Sequence, residues 1–505
     1  MDAIDQLKHD VQEGRIGLDR LVDLIGVLQR QLQTTQQQLQ TAKQRVEELE
    51  KKLGGAATVK VDEAFSMRAE EQRQEARGKK KRQRQPKGRR GRLKTSDKIA
   101  QAERTEAVYP EGLPAEACRL SHTRPVWRLE NGRAVLVAYQ IYRGPNNRYG
   151  KIPGVLGRSE FGLEIVTEIA HLVYIVGLSF DKVCELLHFF QGLRLRKSQA
   201  DALLYQLARH WEDEFETLCT LLANSLVVHT DETGWSLNSV WAFLSEKARV
   251  LLFGVPKDAE TLKAVLDPAT FAGIVISDDA AVYANFTAAQ KCWAHLLRKA
   301  IKLTLQDPRR AEYRTFTDGL LEIYHEACRA RRDGRLGDAG RAKKVAVLQD
   351  AVVELCLPMW LANLPPLEGP DNDYRLLVNE VMRLALAREL FTFVTAAAVA
   401  QPNGISQPVA GTNNEAERTL REPAQARKTG RTNKTSLGAR RQTILVSVLE
   451  SLRLYLPTFT LATAIAELNR WQQAGRSCFT ELMEKLGLSL PKKSVLDRVL
   501  PCLSG

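Results

Sequence analysis

Two aspartates each close a short apolar run. Asp231 ends SLVVHTDE, and Asp278 ends GIVISDD. Polar residues that terminate buried strands lie where an α/β sheet opens into a crevice. Side by side, two carboxylates repel and raise each other's pKa until a cation neutralises them. Hard oxygen donors suit Mg²⁺ or Mn²⁺. A single Asp is an ordinary turn former; the pair, on strands expected to be neighbours, is what points to metal chemistry. A third acid lies in TNNEAERTLREPAQARK, a helix starting near Asn414, as Glu415 or Glu417. Thr412 with Glu415 and Asn414 with Glu417 both fit a capping box. If Glu415 caps, Glu417 is free, with Arg421 four residues on along the same face. Arg418, Arg421, Arg427 and Lys428 suit this helix to DNA phosphate, and Pro423 is expected to bend or end it.

The elements around these acids form a pattern. From Asn224 the chain alternates as strands: SLVVHTDE, then a hairpin of SVWAFLSE and ARVLLFGV through Glu246-Lys247. The helix AETLKAVL, the strand GIVISDD and a short strand CWAH come next. A three-strand meander followed by alternating helices and strands is the order of an α/β RNase H-like catalytic domain, placed at 223–302 and 401–440. A large helical insertion, 303–400, divides it. A C-terminal helical region, 441–505, adds no visible chemistry. Residues 158–222 are helical: Gly177 ends one helix, Ser179 caps FDKVCELLHFF, and Ser198 with Asp201 forms a capping pair for the next. Short helices with tight turns suit a helix-turn-helix or a plain bundle, and the basic LRLRK stretch favours a mainly helical DNA-binding region. Residues 98–157 contain a hairpin around Glu130-Asn131-Gly132. Cys118 and His122 there have no second ligand pair, so zinc is not expected. Cys292 and His295, an isolated C-x-x-H, are expected to be structural. His229, on the same strand face as Asp231, is expected to be a hydrogen-bonded core residue.

The N-terminal fifth differs in kind. Leu18, Ile25, Leu32, Leu39, Val46 and Leu53 recur every seventh residue, with Leu21, Leu28, Thr35, Ala42 and Leu49 between them. Residues 1–55 therefore predict a coiled coil, most simply a homodimer or a higher oligomer. Residues 56–97 form a basic arm. Between Arg73 and Lys94 twelve lysines and arginines face one acid, Glu75, giving +11 of the chain's net +13. Such a block cannot fold on itself and seeks a polyanion. Lys79, Lys80, Lys81, Arg82, Arg84, Arg89 and Arg90 are its expected DNA contacts, salt-sensitive and indifferent to sequence. The eight cysteines are scattered without a CxxC, no apolar run reaches membrane-spanning length, and no secretory signal opens the chain. These features predict a cytoplasmic, nucleoid-associated protein with no membrane partner. No phosphate-binding glycine loop, serine elbow or HExxH occurs, which leaves NTP-driven, hydrolase and metalloprotease chemistry unsupported.

HTDETGW, then ISDDAAVY with KCWAHLLRKA, then TNNEAERTLR with a following RK resemble the catalytic blocks of the insertion-sequence-sixty-six family of bacterial DDE transposases. The order matches over about residues 1 to 460. The resemblance implies catalytic, metal-holding acids at Asp231, Asp278 and Glu417, two Mg²⁺ or Mn²⁺ ions, and cleavage and strand transfer at terminal inverted repeats. It implies transposon ends and target DNA as partners, with accessory proteins of the same element. Asn413, Asn414, Arg418 and Arg421 become candidates to support the site or touch the DNA backbone. Asp279 stands where the family usually has Gly, which leaves the second acid open between Asp278 and Asp279. The cysteine-rich zinc module of many members is reduced here to Cys118 and His122. Rival expectations are a DNA-binding protein whose acids are vestigial, and an RNase H-like nuclease.

Overall fold

The computed structural model describes Gln40 and residues 94–505, apart from 363–367, 403, 492 and 501–505. The heptad seam and Lys79 to Arg90 lie outside the described residues.

Helix α1 (Thr95–Ala100) leads into β1 (Arg104–Val108), β2 (Arg119–Glu130) and β3 (Arg133–Arg143), a sheet ordered β1-β3-β2. The β2–β3 hairpin turns where expected, with Asn131 and Gly132 at φ 49° and 76°. Both values are left-handed, as a tight two-residue hairpin demands. Strand β1, RTEAV, gave no alternation signal in its sequence; it is mostly exposed and pairs parallel to β3. Val126, Val137 and Ile141 centre a small core of their own.

Four helices come next: α2 (Leu163–Ala170), continued by a π turn through Ile175, α3 (Phe180–Gln191), α4 (Lys197–His210) and α5 (Glu212–Ala223). Ser179 caps α3 as expected, its Oγ accepting from the Lys182 N–H at 3.3 Å. The capping pair proposed for α4 does not form. That helix begins before Ser198, the Gln199 side chain accepts the Arg196 N–H at 3.0 Å, and Asp201 instead binds Arg441 at 2.6 Å. A buried guanidinium outcompetes a cap for that carboxylate.

The central sheet comprises β4 (Val227–Gly234), β5 (Ser239–Ser245), β6 (Arg249–Val255), then, after α6 (Ala259–Val265), β7 (Ile274–Ser277) and β8 (Ala289–Lys291). Its order is β6-β5-β4-β7-β8; the first three are antiparallel, and β7 and β8 run parallel to β4. CWAH is not a strand. Its Trp293 opens α7 (Trp293–Gln306), whose Trp293, Leu296, Leu297, Ala300 and Leu303 are buried at helical spacing. That spacing was present in the sequence, and the four-residue window was too short to reveal it.

Helices α8 (Ala311–Arg332), α9 (Asp338–Leu361), α10 (Gly369–Leu386) and the short α11 (Thr392–Thr395) make the insertion. Its core around Phe316, Leu320, Val352 and Val378 is continuous with α7 and with Val227 and Ile276 of the sheet. Two-residue strands β9 (Val399–Ala400) and β10 (Ser406–Gln407) return the chain to α12 (Asn414–Lys428). Helices α13 (Ser436–Tyr455), α14 (Leu461–Ala474), α15 (Cys478–Lys485) and α16 (Val495–Val499) complete it. The result is a mixed α/β fold in which α13 runs across residue 440. Among the described residues no helix is long and apolar enough to cross a membrane.

Helix α13 does more than its sequence suggested. Backbone N–H groups of Arg249, Leu251 and Phe253, on the open edge of β6, donate to Ser451 Oγ (2.9 Å), Ser447 Oγ (2.9 Å) and Thr443 Oγ1 (3.0 Å). Four helical residues rise about 6 Å and two strand residues about 6.6 Å, so hydroxyls every fourth residue match alternate N–H groups. The edge is thereby satisfied without another strand.

Candidate active site

Strand β4 extends three residues past Asp231, held by β5 as far as Gly234 opposite Ser239. Its parallel pairing with β7 stops earlier, at His229 opposite Ile276. Asp231 and Asp278 each lie two residues beyond that last pair. The register therefore brings both carboxylates to one level, where β4 and β7 part. Asp278 is fixed there by its own turn: its Oδ1 accepts the Ala280 N–H at 3.0 Å. Beneath it lies the buried Lys291, whose ammonium donates to Ser277 Oγ (3.3 Å) and the Asp278 carbonyl (3.2 Å).

Helix α12 brings the third acid, and its start departs from expectation. The N-cap is Asn413, which makes no side-chain cap, and neither capping box forms. Asn413 is fully buried. Its amide donates to the Thr230 carbonyl at 2.8 Å, its Oδ1 meets His229 Nδ1 at 3.3 Å, and its backbone N–H donates to Cys292 Sγ at 3.1 Å. One asparagine thus ties α12 to β4 and to the residue before α7. His229 is the expected hydrogen-bonded core residue, and burial lowers its pKa, favouring the neutral ring. Pro423 does not end α12, which continues to Lys428. Ala416, Leu420 and Pro423 are buried on one face, and that packing outweighs the lost hydrogen bond.

The two glutamates diverge. Glu415 turns to β6 and pairs with Arg249 at 2.8 Å. Glu417 pairs with Arg298 of α7 at 2.5 Å and lies 3.5 Å from His295 Nδ1. Asp278 and Glu417 both bear electrostatically on Asp231. Burial first, then the negative charge of Glu232, Asp278 and Glu417, pushes the Asp231 carboxyl up to about 7. Asp279 is held elsewhere, paired with Arg383 of the insertion helix α10.

Sequence reasoning missed several of these contacts. Cys292, His295 and Glu417 converge, one ligand atom of each within 4.8 Å of the others. The C-x-x-H pair is therefore joined to the third acid across the whole helical insertion, which no spacing in the sequence reveals. Glu232 was passed over as the neighbour of Asp231. Its side chain is 2% exposed, takes the Tyr283 hydroxyl and pairs with Lys257 at 2.6 Å. Of the proposed DNA contacts on α12, Arg418, Arg421 and Lys428 are exposed without an ion pair among the described residues, whereas Arg427 donates to the Gly234 carbonyl at 2.8 Å.

Chemically, Asp231 and Asp278 lie at one level of the sheet, and Glu417 of α12 is near enough for its charge to act on Asp231. A buried Asp231 carboxyl pushed up by burial and by neighbouring negative charge, with further hard oxygen donors beside it, fits a divalent cation. Comparison with curated proteins finds no match. The profile of the family described as Transposase IS66 family matches residues 158–441, more than half of the chain and inclusive of all three acids, and the chain belongs to that family.

Proposed function

We propose that this protein is the DNA transposase of a bacterial insertion sequence, and that Asp231, Asp278 and Glu417 are its catalytic, metal-holding acids. The observation that carries the reading is the register that sets Asp231 and Asp278 at one level where β4 and β7 part, with the charge of Glu417 from α12 bearing on Asp231. The strand order, with a meander followed by two parallel strands, supports an RNase H-like domain interrupted by a helical insertion. The Arg383–Asp279 pair supports Asp278 over Asp279, and the charge of Glu417, not Glu415, bearing on Asp231 supports Glu417 as the third acid.

Asp231, Asp278 and Glu417 would hold the divalent ions, Mg²⁺ or Mn²⁺. When bound, two such ions supply an activated oxygen nucleophile and neutralise charge at the phosphate. The carboxylates are ligands, and no protein nucleophile is needed. Arg298 steadies Glu417, and Asn413 fixes the depth at which α12 enters the site. Water attack on the phosphodiester at the element's end frees its 3′-hydroxyl. That hydroxyl then attacks a target phosphate, breaking its bond to the target's own 3′ oxygen, which leaves as a hydroxyl. In this reading the heptads of 1–55 join two protomers, the arm of 56–97 and the helices of 158–222 hold the terminal inverted repeats, and the protein works at cytoplasmic DNA.

The test is excision in cells of a marker flanked by the DNA that brackets the gene. Wild type is expected to excise it, while Asp231→Asn binds the same ends and does not. Equal excision by both proteins would overturn the assignment. Binding without excision by either would favour a DNA-binding protein with vestigial acids, or the need for an accessory protein.

A further inference from the structure

We propose that Lys257 is a phosphate-gripping residue at the mouth of the site, aimed by Glu232 and Tyr283. The inference rests on the transposase reading and adds a DNA contact to it.

The placement of Lys257 begins in β6. The register of that strand against β5 slips between Ser239 and Val240, and the extra residue is Gly254, at φ 74°. A left-handed bulge bends a strand and re-aims the residues after it. A side chain there would also crowd Ala439 of α13, whose Cβ lies 3.0 Å from a Cβ built on Gly254. Strand β6 ends at Val255, and Pro256-Lys257 leave the sheet, with the Lys257 side chain reaching Glu232 of β4.

Lys257 is 61% exposed along its side chain, yet its ammonium is not loose, for Nζ lies 2.6 Å from Glu232 Oε1. Glu232 is itself held from behind by the Tyr283 hydroxyl, and Tyr283 packs edge-on against Trp241, which lies opposite Glu232 in the ladder. A buried carboxylate thus anchors an exposed cation. Such a tether costs one of the ammonium's three donors and leaves the others facing solvent. Besides Glu232, the groups that bear on the ammonium are Asp278 and Asp231, and together they raise its pKa, the Glu232 hydrogen bond most. The cation therefore stands within electrostatic reach of two proposed metal ligands while pairing with neither. A DNA phosphate approaching those acids is the anion that fits this place. A plain surface ion pair would need neither the buried partner nor the tyrosine behind it.

The test uses the full-length protein and a duplex carrying the DNA that borders the gene. Affinity is measured against salt without divalent metal, for wild type, Lys257→Gln, Lys257→Arg and Glu232→Gln. Loss of one phosphate contact lowers the slope of log K against log salt by about 0.9, and Lys257→Gln is expected to show that loss. Lys257→Arg is expected to keep the wild-type slope. Replacing the phosphate at the bond to be cut by a neutral methylphosphonate should weaken wild type and leave Lys257→Gln unchanged. With Mn²⁺, cleavage by Lys257→Gln should fall at least about tenfold, an ordinary loss for a positioned transition-state contact. An unchanged salt slope together with equal sensitivity to the methylphosphonate would overturn the proposal. So would a drop in melting temperature equal to that of Glu232→Gln with DNA binding intact, which marks a structural ion pair only. The binding arms need no turnover, so failure of the transposase reading would appear separately, as no difference between wild type and Asp231→Asn in cleavage.

Discussion

At the scale of single residues, the site is built at the expense of stability. Asp231 titrates near 7 because it is buried among like charges. A carboxyl raised in the folded state binds more protons there than in the unfolded chain between about pH 4 and 7. Without metal, wild type should therefore lose stability as pH rises through that window and level off above it. Three units at about 1.4 kcal/mol each set a ceiling of about 4 kcal/mol. Asp231→Asn removes the charge and should melt higher than wild type at pH 8, the two converging toward pH 4. Added Mn²⁺ should raise the melting temperature of wild type and not of the variant; an unchanged or lower melting point for Asp231→Asn at pH 8 would contradict this account. Asp279 carries a second residue-scale prediction. With Arg383 neutralising it, Asp279 is kept from competing with Asp278 for an ion. Arg383→Gln should shift Mn²⁺ binding, followed by calorimetry, by several-fold. Asp279→Asn in the same chain should restore the wild-type isotherm, since the neutral side chain needs no partner. A purely structural arginine would show no such rescue.

At the scale of elements, the first four strands and the neighbouring of β4 and β7 were legible, because burial on both faces writes continuous apolar runs. By contrast, β4 runs three residues past Asp231, and the fifth strand lies at Ala289–Lys291, before CWAH. The β5–β6 hairpin and the Asn131-Gly132 turn fell where the residues put them. What escaped was decided by tertiary contact. Asn413 looks like one more helix-starting polar residue, yet its partners lie 121 to 184 positions away. Asp201 had a local cap available and bonded to a distant arginine. The hydroxyl ladder of α13 was equally hidden, since Thr443, Ser447 and Ser451 repeat every four residues in a helix that otherwise looks merely apolar. The ladder makes its own prediction. Ser447→Ala leaves the Leu251 N–H buried and unpaired, which should cost about 1–3 kcal/mol in urea unfolding. Ser447→Thr keeps the hydroxyl and should cost less. An alanine variant as stable as wild type would mean that the β6 edge is satisfied by water.

At the scale of the whole molecule, charge and chemistry are segregated along the sequence. Nearly all of the net charge, +11 of +13, lies between Arg73 and Lys94, and the proposed catalytic acids lie more than 130 residues later. The remaining chain is close to neutral, so in the proposed reading its hold on DNA rests on placed cations such as Arg418, Arg421 and Lys257 rather than on net charge. These two sources differ in an observable. Counterion release by the arm is independent of sequence, whereas contacts at the site depend on which phosphate is presented. Deleting residues 73–94 should lower affinity for any duplex and flatten its salt dependence by several units of slope, since up to about 0.9 is lost per phosphate released. The ratio of affinity for the element's own ends over unrelated DNA should survive or rise. If the deletion abolishes that ratio instead, the arm reads sequence and the division of labour argued from charge is wrong. If it leaves the slope intact, the arm's partner is not DNA, and the +11 must serve another polyanion.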